Sequence, residues 1–186
     1  MVVGEKDCQP LIDESDLEAQ LAMLLEHIRE TMQSTPYCFL ITLDGSGQPQ
    51  ARLMRWAEQE PNLTLWLVTN PATRKARELR SDSRATVACY DPQGEGYVTL
   101  AGRARLVSAP LEKRRHWQES WEDFFPAGPD DPATLLIEFT PERVEVMSFY
   151  RNLATMPFTF RPLILVRRGS GWRLEEDSSS SHSSLW

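Results

Sequence analysis

The sequence has no excess of positive charge and no long apolar run, and both absences exclude classes of function. Its 186 residues include 20 Lys and Arg against 27 Asp and Glu, a formal net charge of −7. Non-specific nucleic-acid binding needs a broad positive surface, which an acidic chain does not supply. No apolar run approaches the roughly 20 residues that span a bilayer, and the first 16 residues lack the apolar core of a signal peptide. We therefore expect a soluble, cytoplasmic protein that binds neither nucleic acid nor membrane.

Motifs of nucleotide, metal and hydrolytic sites are also missing. The chain contains no G-x-x-x-x-G-K-[ST], no G-x-G-x-x-G and no G-x-S-x-G, and its three histidines are dispersed. Cys8, Cys38 and Cys89 are an odd set without C-x-x-C spacing. Cys38 and Cys89 lie in apolar runs, where a small buried thiol is the ordinary expectation. The sequence therefore predicts no metal site and no disulfide, and it identifies no catalytic residue.

The apolar pattern predicts one amphipathic helix followed by short strands. Residues 15–32 place apolar side chains on one helical face, and Ser15 with Glu18 fits a capping box. From Tyr37 the period becomes that of strands joined by turns rich in Gly, Pro and Asp. We count six to eight strands among the runs 37–43, 50–58, 63–69, 84–91, 97–108, 134–140, 143–150, 162–168 and 172–176. Residues 109–125 are predicted to form a second long helix, which the proline-rich segment 126–132 ends.

Strands that follow one another through tight turns favour an antiparallel sheet, and a sheet of this length tends to close into a barrel. The predicted fold is therefore mainly β, with flanking helices. Residues 1–14 are predicted to be an N-terminal extension and residues 15–176 a single domain. The Ser-rich residues 177–186 have the composition of a disordered tail.

A basic segment, residues 69–82, follows the third predicted strand and has two interpretations. In the first, it is a solvated helix face, which suits Arg77, Glu78 and Arg80. In the second, it is an anion site where a strand ends and a helix begins, because the unpaired N–H groups and the helix dipole there favour a phosphate. The second interpretation concerns Thr69, Thr73, Arg74 and Lys75.

Arg52, on the second predicted strand, is a further candidate cation. Arg52 and Arg55 have opposite parity and therefore point to opposite faces of the strand. With Leu53 and Trp56 on one face, Arg52 and Met54 lie on the other. Because an uncompensated buried charge is costly, Arg52 needs either an anion or an exposed position, and the spacing leaves both possible.

Four segments taken together resemble the pyridoxamine 5'-phosphate oxidase-like family of FMN-binding split barrels. They are GQPQARLMRW, LWLVTNPATRKARELRSDSRATVACY, YVTLAGRARLV and LLIEFTPERVEVM, and the resemblance extends over roughly residues 18–172. Residues 116–132 are similar to the branch of general stress proteins and pyridoxamine oxidase-related FMN-binding proteins. The resemblance implies an antiparallel split β-barrel and a homodimer with FMN in two clefts at the subunit interface.

The resemblance also implies which residues bind the cofactor. Its phosphate is expected at Arg52, Arg74 and Lys75, with Thr73 assisting. The isoalloxazine ring is expected along Leu53 and Met54, and the third-strand contacts of the family match Val68 and Thr69. Two more contacts are expected on the ring: Tyr97, in the place of a Gln of the oxidases, and Trp117, which either reaches the flavin from the partner subunit or packs within its own helix.

Departures from the true oxidases argue against oxidation of pyridoxamine phosphate. Ala57 lies where those enzymes have a Lys that contacts flavin and substrate, and Met147 lies where they have a Trp. Their C-terminal Arg-x-His element has no clear counterpart in residues 151–162, where Arg161 aligns only loosely with a flavin-side Arg. The resulting expectation is an FMN-binding flavoprotein, an oxidoreductase of unknown substrate. The alternatives are a non-enzymatic stress or redox-sensing flavin protein, and a split barrel that binds haem, a bilin or a deazaflavin.

Overall fold

The structure is a computed structural model and describes residues 14–59, 62–91, 96–148 and 162–175, without the side chains of residues 14–17 and 57–59. The predicted N-terminal extension up to residue 13, Cys8, Arg161 and the Ser-rich tail lie outside the described residues, and so does the side chain of Ala57.

The elements follow one another as a helix, three strands, a helix, two strands, a short helix and three strands. Their bounds are α1 (Glu14–Gln33), β1 (Tyr37–Leu43), β2 (Pro49–Gln59), β3 (Leu65–Thr69), α2 (Arg74–Ser81), β4 (Arg84–Asp91), β5 (Gly96–Val107), α3 (Pro110–Arg115), β6 (Leu135–Ser148), β7 (Leu163–Arg168) and β8 (Gly171–Leu174). A single 3₁₀ turn, Glu119–Trp121, lies between α3 and β6.

All strand pairs of the sheet are antiparallel, and the sheet closes on itself. Its order is β3-β2-β1-β4-β5-β6-β7-β8, and β3 also pairs with β6, which makes a barrel of the first six strands. β6 is shared: Leu135–Phe139 pair with β3, whereas Arg143–Val146 pair with β7. The prediction of a mainly β, antiparallel split β-barrel is confirmed.

The barrel interior is apolar, and α1 packs against it. Cys38 and Leu40 on β1 and Cys89 on β4 point inward, and α1 contributes Ile28 and Met32, both fully buried. Both cysteines are buried free thiols, as predicted. Burial raises the pKa of the Cys89 thiol to about 12, and burial together with the neighbouring Cys89 raises the pKa of Cys38 still further. Within the described ranges, no helix is long and apolar enough to cross a membrane.

The predicted long helix over residues 109–125 is wrong. α3 ends at Arg115, and the ring of the buried His116 stacks on Trp66, with 3.7 Å between the ring centroids and 13° between the ring planes. This stacking and the burial of Trp121 against the outer side of β3 and β6 hold the chain in a path that a continuous helix could not follow. Leu111, on the short helix α3, is 73% exposed.

Three other expectations about local structure are also wrong. α1 already includes Glu14, so Ser15 lies inside the helix and is not its N-cap. On β2 the side chains alternate with period two, so Trp56 shares a face with Arg52 and Met54, while Leu53 lies on the opposite, exposed face. The predicted strands 134–140 and 143–150 are one strand, because Pro141 lies at a bulge and does not interrupt the pairing.

The bulge depends on Gly102, where β5 and β6 change register. A Cβ at Gly102 would lie 2.7 Å from Pro141 Cα and closer still to Thr140 O, both of them backbone atoms. We expect Gly102→Ala to reduce the free energy of unfolding by about 1 to 3 kcal/mol, the usual cost of overpacking. Gly45→Ala is the matched control, because a Cβ at Gly45 meets no atom within 4 Å. Equal stability of the two variants in thermal unfolding would contradict this assignment.

Candidate functional site

The connection from β3 to α2 is fixed by two threonines. Thr73 is the N-cap of α2, and its hydroxyl oxygen accepts a hydrogen bond from Ala76 N at 3.4 Å. Its single hydroxyl proton is donated to Asn70 O at 2.8 Å, so in the 3.1 Å contact between Thr69 Oγ1 and Thr73 Oγ1 the donor is Thr69. Thr73 thus holds the start of the helix in place, and the predicted helix start at the basic segment is confirmed.

Arg52 forms an ion pair with a carboxylate of the protein itself. Its Nη2 donates to Glu78 Oε2 at 2.7 Å, and its Nη1 donates to Thr42 Oγ1 at 2.6 Å and to Leu40 O at 3.2 Å. Thr42 is fully buried and its hydroxyl donates in turn to Glu78 Oε2. Of the two possibilities that the sequence leaves open for Arg52, the structure therefore provides a compensating anion.

Glu78 is the residue that sequence reasoning missed. The sequence pattern favours a solvated helix face for Glu78, but its side chain is only 6% exposed because α2 turns it toward β1 and β2. Its Oε2 binds Arg52 and Thr42, and its Oε1 lies 3.2 Å from Arg74 Nε, an ion-pair contact without hydrogen-bond geometry. The i, i+4 spacing of Arg74 and Glu78 was the available signal, but it does not tell a buried carboxylate from an exposed one.

Lys75 completes a cluster of three cations around this one carboxylate. Its side chain is partly buried, and its pKa is lowered mainly by that burial and further by the charge of Arg52, while Glu78 opposes the shift. A nearby cation disfavours a second positive charge, so positive charge at this site is only partly neutralised by Glu78. The structure thus brings together five of the predicted residues: Arg52, Thr69, Thr73, Arg74 and Lys75.

The other predicted residues lie on the surrounding strands and turn. Leu53 is 60% exposed on the outer face of β2, while Met54 packs against the barrel core. Val68 packs with Trp66 and Trp121 on the outer side of β3. Tyr97 on β5 lies three strands away from β2 in the sheet order, and Trp117 packs edge-on against Trp121 with ring centroids 5.6 Å apart. A single protomer therefore brings together the phosphate candidates but not all the ring candidates.

The outer face of β1, β2 and β4 carries large exposed apolar side chains. Tyr37 and Phe39 on β1, Leu53 on β2 and Tyr90 on β4 are between 47% and 64% exposed. Phe39 lies opposite Leu53 in the β1–β2 register and opposite Ala88 in the β1–β4 register, so these side chains adjoin one another across the sheet. A contiguous apolar area of this kind on a sheet usually marks a contact surface.

A closed antiparallel barrel with cations at the first helix after β3 defines the chain as a split-barrel protein. It belongs to the pyridoxamine 5'-phosphate oxidase like family, whose model matches residues 24–157, and the stated resemblance is thereby confirmed. The chain is 30% identical over 105 residues to General stress protein 26 of Bacillus subtilis (strain 168), a match that covers 55% of this chain and 73% of that protein.

Solved structures share the fold at lower identity. A protein related to general stress protein 26 from Clostridium acetobutylicum is 22% identical, with a TM-score of 0.63 and coverage of 75% of this chain and 92% of that one. A pyridoxamine 5'-phosphate oxidase-related, FMN binding protein from Nostoc punctiforme is 17% identical, with a TM-score of 0.57 and coverage of 88% and 98%. At these identities the likeness establishes the fold.

The charge of Lys75 offers a direct test of the site's electrostatics. We expect Lys75 to lose its proton at a lower pH than an ordinary lysine, for which the reference pKa is 10.5. Because the unfolded chain keeps this proton up to the ordinary pKa, the free energy of unfolding should rise with pH between the two values. The measurement is a carbon-13 NMR titration of the lysine side chains. Arg52→Gln should raise the pKa of Lys75, and an unchanged titration in that variant would contradict the role of Arg52.

Proposed function

We propose that the protein binds FMN and holds its phosphate at the start of α2. The observation that carries this proposal is the convergence of Arg52, Arg74 and Lys75 on the N-terminal end of a helix, with a single buried carboxylate between them. Arg supplies planar pairs of donors, Lys supplies a point charge, and the first turn of the helix supplies backbone N–H groups. A phosphate is the ligand group that uses all three.

The residues next to this cluster fit the rest of the cofactor. Leu53 and Met54 directly follow Arg52 on β2, and Val68 and Thr69 end β3, which pairs with β2. The isoalloxazine ring would be held by these two strands, with Tyr97 or Trp117 added from a second subunit. Support also comes from the Nostoc punctiforme neighbour, which is described as an FMN binding protein.

We further propose that the flavin acts in an oxidoreductase. FMN supplies the hydride and electron chemistry, and this chain's part is to bind the phosphate, place the ring and exclude water. Ala57 replaces the Lys expected in a pyridoxamine phosphate oxidase, so a different small substrate is proposed.

The alternative, a stress or redox-sensing protein that binds flavin without turnover, has the same site. Rapid reduction by NADH or NADPH followed by reoxidation with an acceptor favours the enzyme, and a flavin that resists reduction favours the sensor.

A homodimer with FMN between the subunits is the third part of the proposal. The exposed apolar area of Tyr37, Phe39, Leu53 and Tyr90 includes the chain neighbour of Arg52, whose side chain points to the other face of β2, and a second copy seated on this area would complete a cleft along that strand. Removal of this apolar surface from water would contribute favourable free energy to the dimer.

The first test is the visible spectrum of the purified protein, with mass identification of the molecule that it releases on denaturation. A flavin spectrum with release of FMN is the expected result. A haem, bilin or deazaflavin in its place, or no chromophore and no FMN binding in titration, would falsify the proposal.

Replacement of Arg74 and Lys75 together by Ala should weaken FMN binding on the order of 100-fold, because each charge-assisted hydrogen bond contributes about 1.5 to 3 kcal/mol. Arg74 is exposed and Lys75 only partly buried, and the loss of charges at such positions usually costs under about 0.5 kcal/mol of stability, so thermal unfolding should change far less than FMN affinity. The matched control is Arg77→Ala with Arg80→Ala, which removes the same charge from the exposed side of α2. Equal FMN affinity in the two double variants would contradict the phosphate site and would support the interpretation that Arg74 and Lys75 belong to a solvated helix face.

Introduction of a charge into the apolar outer face should separate the subunits. We expect Phe39→Lys to be monomeric in size-exclusion chromatography with light scattering and to lose most of its FMN affinity. Met23→Lys, which places the same charge at an exposed apolar position of α1, should stay dimeric. A monomeric wild-type protein with bound FMN would contradict the two-subunit site.

A further inference from the structure

We propose that Glu78 and Thr42 are the positioning residues of the phosphate site: they clamp one edge of the Arg52 guanidinium so that its other edge is free for a phosphate monoester. This inference rests on the proposed function and adds two residues to it, neither of which carries the positive charge that attracts the ligand. It explains why a carboxylate lies buried within a cluster of cations.

The donors of Arg52 divide into two groups. A guanidinium has five N–H donors. Three of them are used: both N–H groups of Nη1 go to Thr42 Oγ1 and Leu40 O, and one N–H of Nη2 goes to Glu78 Oε2. The two that remain, the Nε donor and the second Nη2 donor, have no acceptor in the part of the chain that the structure describes. They form the parallel pair with which Arg binds two oxygens of one phosphate.

Thr42 makes this arrangement rigid. Its hydroxyl accepts from Arg52 Nη1 and donates to Glu78 Oε2, so Arg52, Glu78 and Thr42 form a closed ring of three hydrogen bonds. The three side chains come from β2, α2 and β1, and Thr42 is fully buried. The orientation of the guanidinium is therefore set by the barrel before any ligand arrives, which lowers the ordering cost of binding.

Glu78 also brings the net charge of the site close to the opposite of the charge of a phosphate monoester. Arg52, Arg74 and Lys75 carry three positive charges, and Glu78 reduces the net charge of the cluster to +2. A phosphate monoester carries about −1.5 to −2 at pH 7. With the ligand bound the cluster is close to neutral, and without Glu78 a cluster of +3 would remain, in which Lys75 is already disfavoured as a cation.

The test compares FMN with riboflavin, which has the same ring and lacks the phosphate. Binding of both to the apoprotein is measured by quenching of flavin fluorescence, and the ratio of the two dissociation constants reports on the phosphate site alone. We expect Glu78→Gln to lower this preference for FMN by at least about tenfold, as for loss of a hydrogen bond to a charged group. Glu78→Asp keeps the charge but is one methylene too short to keep the Arg52 contact, so it should lose a similar part of the preference.

Thr42→Val is the second variant, because Glu78 variants that leave Arg52 without its anion can fail to fold. Valine has the shape of threonine without the hydroxyl and leaves all four charges in place. We expect the preference for FMN to fall about three- to tenfold, with riboflavin binding unchanged. Glu142→Gln, which removes a carboxylate from an exposed pair with Arg103, is the matched control and should keep the wild-type preference.

The outcomes separate this inference from the proposed function. A wild-type protein that does not bind FMN contradicts both. A wild-type protein that prefers FMN, with variants that keep that preference, contradicts only the positioning role. Equal losses for FMN and riboflavin would assign Glu78 and Thr42 to folding. Tighter FMN binding in Glu78→Gln would show that the carboxylate competes with the phosphate, and full recovery in Glu78→Asp would show that it acts by charge alone.

Discussion

The pairing of β3 with β6 closes the barrel, and the candidate site depends on that closure. The pairing fixes the end of β3 at Thr69. Because only four residues, 70–73, connect β3 to α2, the helix must lie at the same end of the barrel. Glu78 reaches Arg52 and Thr42 for this reason, although 26 and 36 residues separate it from them in the chain. The ion pair is thus a product of the closed sheet. A sheet that stayed open would not hold α2 against β1 and β2, and the charges of Arg52 and Glu78 would each be satisfied by water.

The sequence predicted the strands better than the helices, and the reason is physical. β1 and β4 have the predicted bounds because inward and outward side chains alternate without exception along both. Residues 109–125 have an equally good helical pattern, yet the stacking of His116 on Trp66 joins residues 50 positions apart, which a local pattern does not contain. Likewise, Arg52, Arg74 and Lys75 could be found as cations by their spacing, whereas the burial of Glu78 depends on which face α2 turns toward β1. Partners from distant strands are what local periodicity misses.

The negative net charge of the protein and the positive charge of the cluster act on ligands over different distances. The net charge of −7 repels polyanions at a distance, while the +2 of the Arg52, Arg74, Lys75 and Glu78 cluster acts within about one Debye length, about 8 Å at physiological ionic strength. Small phosphorylated molecules can reach such a site, but a nucleic acid would bring its many charges against the acidic remainder of the surface. The overall charge and the local charge are therefore both consistent with the proposed ligand, a compact anion.

The two buried cysteines give the barrel a chemical property that its shape alone does not reveal. Cys38 lies opposite Met54 in the β1–β2 register, on the strand next to the one proposed to hold the flavin ring. Reduced flavins pass electrons to oxygen and release peroxide, and peroxide attacks thiolates far faster than thiols. Since burial holds both sulfurs in the protonated form, they would react only slowly with peroxide formed at the proposed flavin. Sulfur atoms next to the proposed flavin site are thus kept in the form that resists oxidation.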